Sequence, residues 1–353
     1  MNRYLCVMRI GTVSVAVLWC AVVSIAAAQG VADRVRLVRG NEIGEIAEMT
    51  PLQVTLKKGA AGDREIAVNE IKTVQFSGEP SELSQARLNA DNGAYETVLE
   101  SLQKIDVGKV DRDFVKQDIE FYKGWCAAKL ALAGRGEIGD AGRQLNNFVR
   151  AHANNFHYLV AREVMGDLLM AGGGYTNAEK QYAELAKAPW TDYKMRAAVA
   201  VGRSLQAQNK HAEAITQFDA ALATTGDAAE AQNERLAATL GKAISLAETG
   251  GADQAVGMIE KVIHDADPQQ KELHARAYNA LGTCYEKAGK NKEALLAFLH
   301  VDVLYNTVPE AHAEALSHLA ALWKAIGQDE RARESRETLN ERYAGSRWAK
   351  QAK

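Results

Sequence analysis

Ala277-Tyr278-Asn279-Ala280-Leu281-Gly282-Thr283-Cys284-Tyr285, then Gly289, then Glu293-Ala294-Leu295-Leu296-Ala297-Phe298, is the stretch whose reading decides the fold of this 353-residue chain. Leu281, Tyr285 and their neighbours repeat at helical spacing and make one apolar face, and Gly289 stands where that helix should stop. Ala294, Phe298 and Val301 make the matching face of a second helix. Small residues at Gly282 and Ala294 let the two helices approach closely, so the stretch predicts a helical hairpin.

Nearly everything after residue 80 restates this hairpin. The position of Gly282 is filled by Ala86, Ala127, Gly166, Gly202, Gly241 and Ala320 in the other units. The turn position of Gly289 is filled by Gly93, Gly134, Gly173, Gly250-Gly251 and Gly327, and by Asn209 in the fourth unit. Second-helix faces follow at Ala141, Leu145 and Phe148, at Ala178 and Tyr182, at Ala214 and Phe218, and at Ala255 and Ile259. In the seventh unit Arg336 replaces the aromatic and the outer helix is polar, as suits the end of an array.

Tyr278, Leu281, Gly282, Tyr285, Gly289, Ala294 and Phe298 together resemble the tetratricopeptide repeat, a 34-residue helix–turn–helix unit with Leu-Gly, a turn glycine, and Ala with an aromatic at fixed offsets. The steps between units here are 41, 39, 36, 39, 41 and 38 residues, all longer than the family's, so helices or connections are extended. The resemblance covers residues 82–345. It implies a mainly α fold, a right-handed α-solenoid of about seven hairpins with a concave groove lined by first helices, and a role as a platform for protein or peptide partners. Residues 346–353 are left as a C-terminal tail.

Residues 31–79 change period. Val35-Arg36-Leu37, Ile43-Gly44-Glu45-Ile46, Leu52-Gln53-Val54-Thr55-Leu56, Ile66-Ala67-Val68 and Ile71-Lys72-Thr73-Val74-Gln75-Phe76 alternate in steps of two between turn residues. Four or five short strands in a barrel-like module of SH3 or Sm type are expected, adapting or capping the first helix pair. An RNA site there would want a basic, aromatic-lined loop, whereas residues 31–80 hold seven basic and eight acidic side chains and a single aromatic, Phe76.

Arg3 and Arg9 precede an apolar run from Ile10 to Ala28 that ends in Ala26-Ala27-Ala28 before Gln29, the pattern of an export signal, here residues 1–28. Periplasmic or other exported localisation follows, with no stable membrane insertion once the signal is cleaved. The alternative is an inner-membrane anchor made by residues 10–28, long enough to span. Removing residues 1–29 lowers the 42 Lys and Arg to 40 against 45 Asp and Glu, so the mature chain carries −5 and general nucleic-acid binding is disfavoured. The two cysteines beyond the leader, Cys126 and Cys284, fall inside first helices of different repeats and read as buried small apolar residues.

Nothing in the chain spells catalysis or a cofactor. The eight histidines, among them His152, His157, His274 and His312, form no zinc spacing and read as surface or turn residues. Gly172-Gly173-Gly174 follows no strand and reads as a hairpin turn instead of a phosphate cradle. No enzyme activity and no metal are expected.

The resemblance also points to a groove. In the tetratricopeptide family the concave face is built from first-helix residues six and three before the glycine and one, four and five after it. Applied to units four to six, these offsets select Arg196 and Arg203, Arg235 and Lys242, then Arg276, Asn279 and Lys287, with Glu286 as the sole acid. Rows of cations suit an acidic segment or a free C-terminal carboxylate of a protein partner. The same side chains could instead form intrahelical or inter-repeat ion pairs with residues such as Glu234 and Glu272. A structural subunit of an envelope assembly, without groove ligand, and an RNA-associated protein acting through the β module are the other functions the pattern admits.

Overall fold

The computed structural model describes residues 32–59, 62–224 and 229–351. The expected export leader, residues 1–28, lies outside the described residues. Five strands come first: β1 (Asp33–Leu37), β2 (Asn41–Met49), β3 (Gln53–Lys57), β4 (Asp63–Ala67) and β5 (Ile71–Gln75). They form one antiparallel sheet in the order β4-β3-β2-β1-β5, so the last strand closes back onto the first. Val35, Ile46, Val54, Leu56, Ile66 and Val74 are the buried members of the alternating pattern.

Seven helical hairpins follow: α1 (Ser81–Asp91) with α2 (Tyr95–Gln103), α3 (Asp113–Leu132) with α4 (Ile138–Ala151), α5 (Tyr158–Ala171) with α6 (Tyr175–Leu185), and α7 (Thr191–Ala207) with α8 (His211–Ala223). The array continues with α9 (Ala229–Glu248) and α10 (Ala252–Asp265), α11 (Lys271–Lys287) and α12 (Asn291–Leu304), and α13 (Pro309–Ala325) and α14 (Asp329–Tyr343). A short helix, α15 (Arg347–Gln351), ends the described chain. Each helix packs on its hairpin partner and on the next hairpin, which makes a solenoid of tetratricopeptide-repeat type.

Every hairpin turns the same way. Gly93, Gly134, Gly173, Gly250, Gly289 and Gly327 have positive φ, and in the fourth unit Asn209 does so at φ 59, the one such non-glycine among the described residues. The next residue then donates its N–H to a carbonyl five positions back, from Ala94 to Asn89 through Lys290 to Tyr285, which satisfies an orphaned helix-end carbonyl. Asparagine tolerates this backbone better than other side-chain-bearing residues, so the missing glycine costs little there.

The hairpins close because a ring fills the space that a missing side chain leaves. A Cβ on Gly282 would lie 2.6 Å from the Phe298 ring, and one on Gly166 would lie 2.4 Å from Tyr182. Phe218 fits between Gly202 of its own unit and Gly241 of the next, where added Cβ atoms would lie 2.6 and 2.4 Å from its ring. In the second unit the close approach falls at Gly124, three residues before the expected Ala127, where an added Cβ would lie 3.0 Å from Leu145. The surplus residues are used in two ways. Residues 106–112 form a connection with a short 3-10 turn, whereas residues 229–234 lengthen α9.

The sheet and the first helices share one core that runs from Val35 to Leu168. Charge ties them as well. Asp33, 1% exposed, accepts the N–H groups of Ile46 and Ser77 and is gripped by Arg112. Buried Arg87 bridges Glu79 and Asp118, each at 2.6 Å, and His157 Nε2 meets the other Asp118 oxygen at 2.8 Å. The Phe76 ring has both Arg87 and Arg112 over it.

At the other end the chain returns to its beginning. A Cβ on Gly345 would lie 3.0 Å from the carbonyl oxygen of Gly134, in the α3–α4 turn. Ala349 of α15 is fully buried with Ala313, Leu316, Leu339 and Tyr343. The last residues thus meet the second hairpin, and the solenoid is closed on itself.

Candidate ligand cavity inside the solenoid

A cavity of about 930 Å³ opens in the interior of the array. Its wall is made chiefly by first helices: Glu163 and Asp167 from α5, Arg196, Val199, Ala200 and Arg203 from α7, Asn233, Glu234 and Ala237 from α9, and Leu273 and Arg276 from α11. Glu163 and Asp167 stand four apart, Arg196 and Arg203 seven, Glu234 and Ala237 three, and Leu273 and Arg276 three, so each of these pairs shares one helix face. Asp91 at the end of α1 and Pro309 at the start of α13 complete the rim. The wall therefore carries both signs of charge.

Of the residues selected by the repeat offsets, Arg196, Arg203 and Arg276 reach the cavity wall together. The others face neighbouring helices. Lys242 pairs with Asp219 of α8 at 2.6 Å, and Lys287 pairs with Glu248 of α9 at 2.9 Å. Arg235 Nη2 donates to the Thr224 carbonyl at 3.4 Å. Asn279 is 2% exposed and spans two repeats, its Nδ2 donating to the Ala311 carbonyl at 2.8 Å and to Glu314 at 3.1 Å. In α9 the charged residue on the cavity wall is Glu234, one position before Arg235, a rotation of about 100° that the repeat register does not contain.

Arg196 is matched by Glu163, which accepts from its Nε at 3.3 Å and also from Nη2, and its guanidinium lies over the Tyr193 ring at 4.9 Å. Burial would depress this guanidinium, but Glu163 raises it above its ordinary value. Arg276 behaves otherwise: the charge of Arg203, and then burial, bring it down to about 10 against the pull of Glu272, Glu310 and Glu314. Burial pushes Glu234 up to about 7, with Arg196 opposing. Burial also raises Asp167, whose carboxylate accepts the Tyr182 hydroxyl at 2.8 Å.

The histidines correct the sequence reading. His157, His274 and His312 are buried, not surface residues, because each finds a polar partner. His312 uses both nitrogens, on the Tyr343 hydroxyl and Asp302, each at 2.8 Å. Among the described residues no group of three or more His, Cys, Asp or Glu is arranged to hold a metal ion. Cys126 and Cys284 are free and buried, and burial pushes both thiols up to about 12.

Fold and cavity together define a class, a helical-repeat solenoid with an interior cavity. Residues 163–229 and 240–305 match the family described as Tetratricopeptide repeat. Among solved structures, a tetratricopeptide repeat protein from Parabacteroides merdae is similar at 18% identity, over 77% of this chain and 97% of its own, with a TM-score of 0.52. A Rap protein complexed with competence and sporulation factor is similar at 12% identity, over 76% of each chain, with a TM-score of 0.53. The apo form of RapI is similar at 12% identity, over 77% of this chain and 97% of its own, with a TM-score of 0.55. Identities this low establish the shared fold alone. No curated protein matches the chain. No helix among the described residues is long and apolar enough to cross a membrane.

Proposed function

We propose that the protein is an exported, non-enzymatic scaffold that holds a protein or peptide partner inside the solenoid, through an acidic segment or a free C-terminal carboxylate of that partner. The observation that carries this reading is the interior cavity, walled by successive first helices and large enough for a short extended segment. The similar Rap structure is of a protein complexed with competence and sporulation factor, which supports partner binding by such a fold. Export rests on the arginine-flanked apolar run and the small residues that end it. The β module, for which an SH3- or Sm-like identity is part of this proposal, caps the first hairpin through the shared core and the Arg87 network.

The test is capture of a partner from the protein's own cell envelope by the mature chain and by an Ala200→Trp variant. Ala200 lines the cavity, and an indole there would obstruct part of it without changing charge. Loss of capture with unchanged circular dichroism is expected; undiminished capture would place the partner elsewhere. The second reading, a structural subunit of an envelope assembly, is favoured by Leu296, Val303 and Leu304, exposed on α12. Val303→Glu would abolish assembly if that reading held, and Ala200→Trp would not.

A further inference from the structure

A second space, of about 470 Å³, opens at the C-terminal ends of α5 and α7. Met170, Gly173, Gln206 and Asn209 wall it on one side, and Arg347 and Lys350 of α15 on the other. Asp167 and Arg203, on the wall of the larger cavity, stand three residues before Met170 and Gln206. That is the same helix face and about 4.5 Å along the axis. The two spaces are successive stretches of one interior, and α15 stands at its mouth.

The seat of α15 is a light one. Of residues 347–351 only Ala349 is buried, against Ala313 and Leu316 of α13 and Leu339 and Tyr343 of α14. Arg347 reaches Glu310 at 3.4 Å, an exposed pair of the kind that contributes little. The indole Nε1 of Trp348 is buried without a hydrogen-bond partner among the described residues, so the seated position strands a donor that water satisfies once the helix moves out. Across the space, Arg347 and Lys350 face the C-terminal ends of α5 and α7, whose dipoles favour cations, and no Asp or Glu is among the described residues lining it. That attraction is diffuse and screened by salt. Gly345, exposed and pressed against the Gly134 backbone, is the joint between α14 and α15.

We infer that α15 is a gate at this mouth: seated, it closes the interior between α13 and the turns that end α5 and α7, and it swings out about Gly345 while α13 and α14 stay folded. The seated and open forms exchange one buried alanine and a few screened charges for a solvated indole N–H, a balance small enough to be crossed without unfolding a repeat. The inference goes beyond the proposed function, which concerns what the interior holds, and the gate is measured without any partner.

Two measurements on the mature chain test it. In native-state hydrogen exchange the amides of Ala349 and Lys350, which donate to Ser346, should exchange through a local opening that hardly depends on denaturant, whereas those of α13 wait for the hairpin to unfold. Equal protection and equal denaturant dependence in α15 and α13 would overturn the gate. The second measurement places a thiol in the mouth with Ala207→Cys. Cys126 and Cys284, buried and with thiols pushed up to about 12, stay silent at neutral pH, and Cys6 and Cys20 leave with the leader. The rate of labelling by a polyethylene-glycol maleimide, divided by the rate with iodoacetamide to cancel changes in the thiol itself, reads how often the mouth stands wide open. Lys350→Glu turns attraction to the helix ends into repulsion and should raise this ratio about fivefold; its side chain is exposed, so the fold is kept. Ala349→Asp and high salt should raise the ratio as well. A ratio that none of these changes moves makes α15 a fixed cap and overturns the inference. So does a ratio that rises only together with loss of exchange protection in α13. Neither result touches the proposed function, because no partner enters the assay.

Discussion

Gly282→Ala adds one methyl group in the middle of α11, where helix propensity alone favours alanine over glycine by about 1 kcal/mol. The structure reverses that sign. The new Cβ would stand 2.6 Å from the Phe298 ring, where ordinary contact begins at 3.4 Å, so α11 and α12 must part by close to an ångström. The ring cannot retreat, because His318 stacks on it at 4.5 Å and is itself fixed to Glu286 at 2.8 Å. Overpacking of this kind costs about 1–3 kcal/mol, which leaves a net loss of about 1–2 kcal/mol after the propensity gain. Gly257→Ala in α10 is the control, since nothing lies within 4 Å of a Cβ there and the same change should stabilise by about 0.5–1 kcal/mol. Denaturant midpoints read both signs, and residue-resolved hydrogen exchange reads their range. Protection should fall in α11 to α13 and stay in the β module, because repeats couple chiefly to neighbours. If Gly282→Ala stabilises as much as Gly257→Ala, or if protection falls uniformly, the close-packed hairpin account is wrong.

Three further outcomes are expected. Arg87→Met leaves Glu79 and Asp118 buried without their cation and should cost about 3–5 kcal/mol, with exchange protection lost together in the β module and α1 to α5 because they share a core. Independent loss in only one of the two would contradict the shared core. Glu234, raised to about 7 mainly by burial, binds its proton more tightly in the folded than in the unfolded chain. Its contribution is present below the usual carboxylate pKa and is lost as pH rises toward 7, so Glu234→Gln should gain on the order of 2 kcal/mol over wild type at pH 8 and nothing at pH 4. An equal gain at both pH values in denaturant melts would refute the assignment. Gly345→Val would drive a side chain into the Gly134 carbonyl and should strip exchange protection from residues 346–351 and enlarge the radius of gyration in X-ray scattering. Unchanged scattering would mean that the closure does not depend on this contact.

The seven hairpins were legible in the sequence because each is a local object. A period of 3.6 marks the packed faces, a small residue marks the close approach, and a residue able to take positive φ marks the turn, as Asn209 shows where glycine is missing. The alternation of residues 31–79 likewise specified the strands. The cavity was legible only in part. The offsets placed Arg196, Arg203 and Arg276 on its wall, but they also chose Lys242, Lys287 and Asn279, whose partners Asp219, Glu248 and Ala311 lie on other helices 23 to 39 residues away. Which arginine reaches the cavity wall depends on how far each hairpin turns relative to the next, and a one-residue shift of face replaces Arg235 by Glu234. No repeat encodes that angle, because it is the summed result of packing at every interface. For the same reason only the tertiary structure brings Gly345 onto Gly134 and joins the sheet to the helices in one core, since both contacts require the full turn of the solenoid or the burial of faces far apart in the chain.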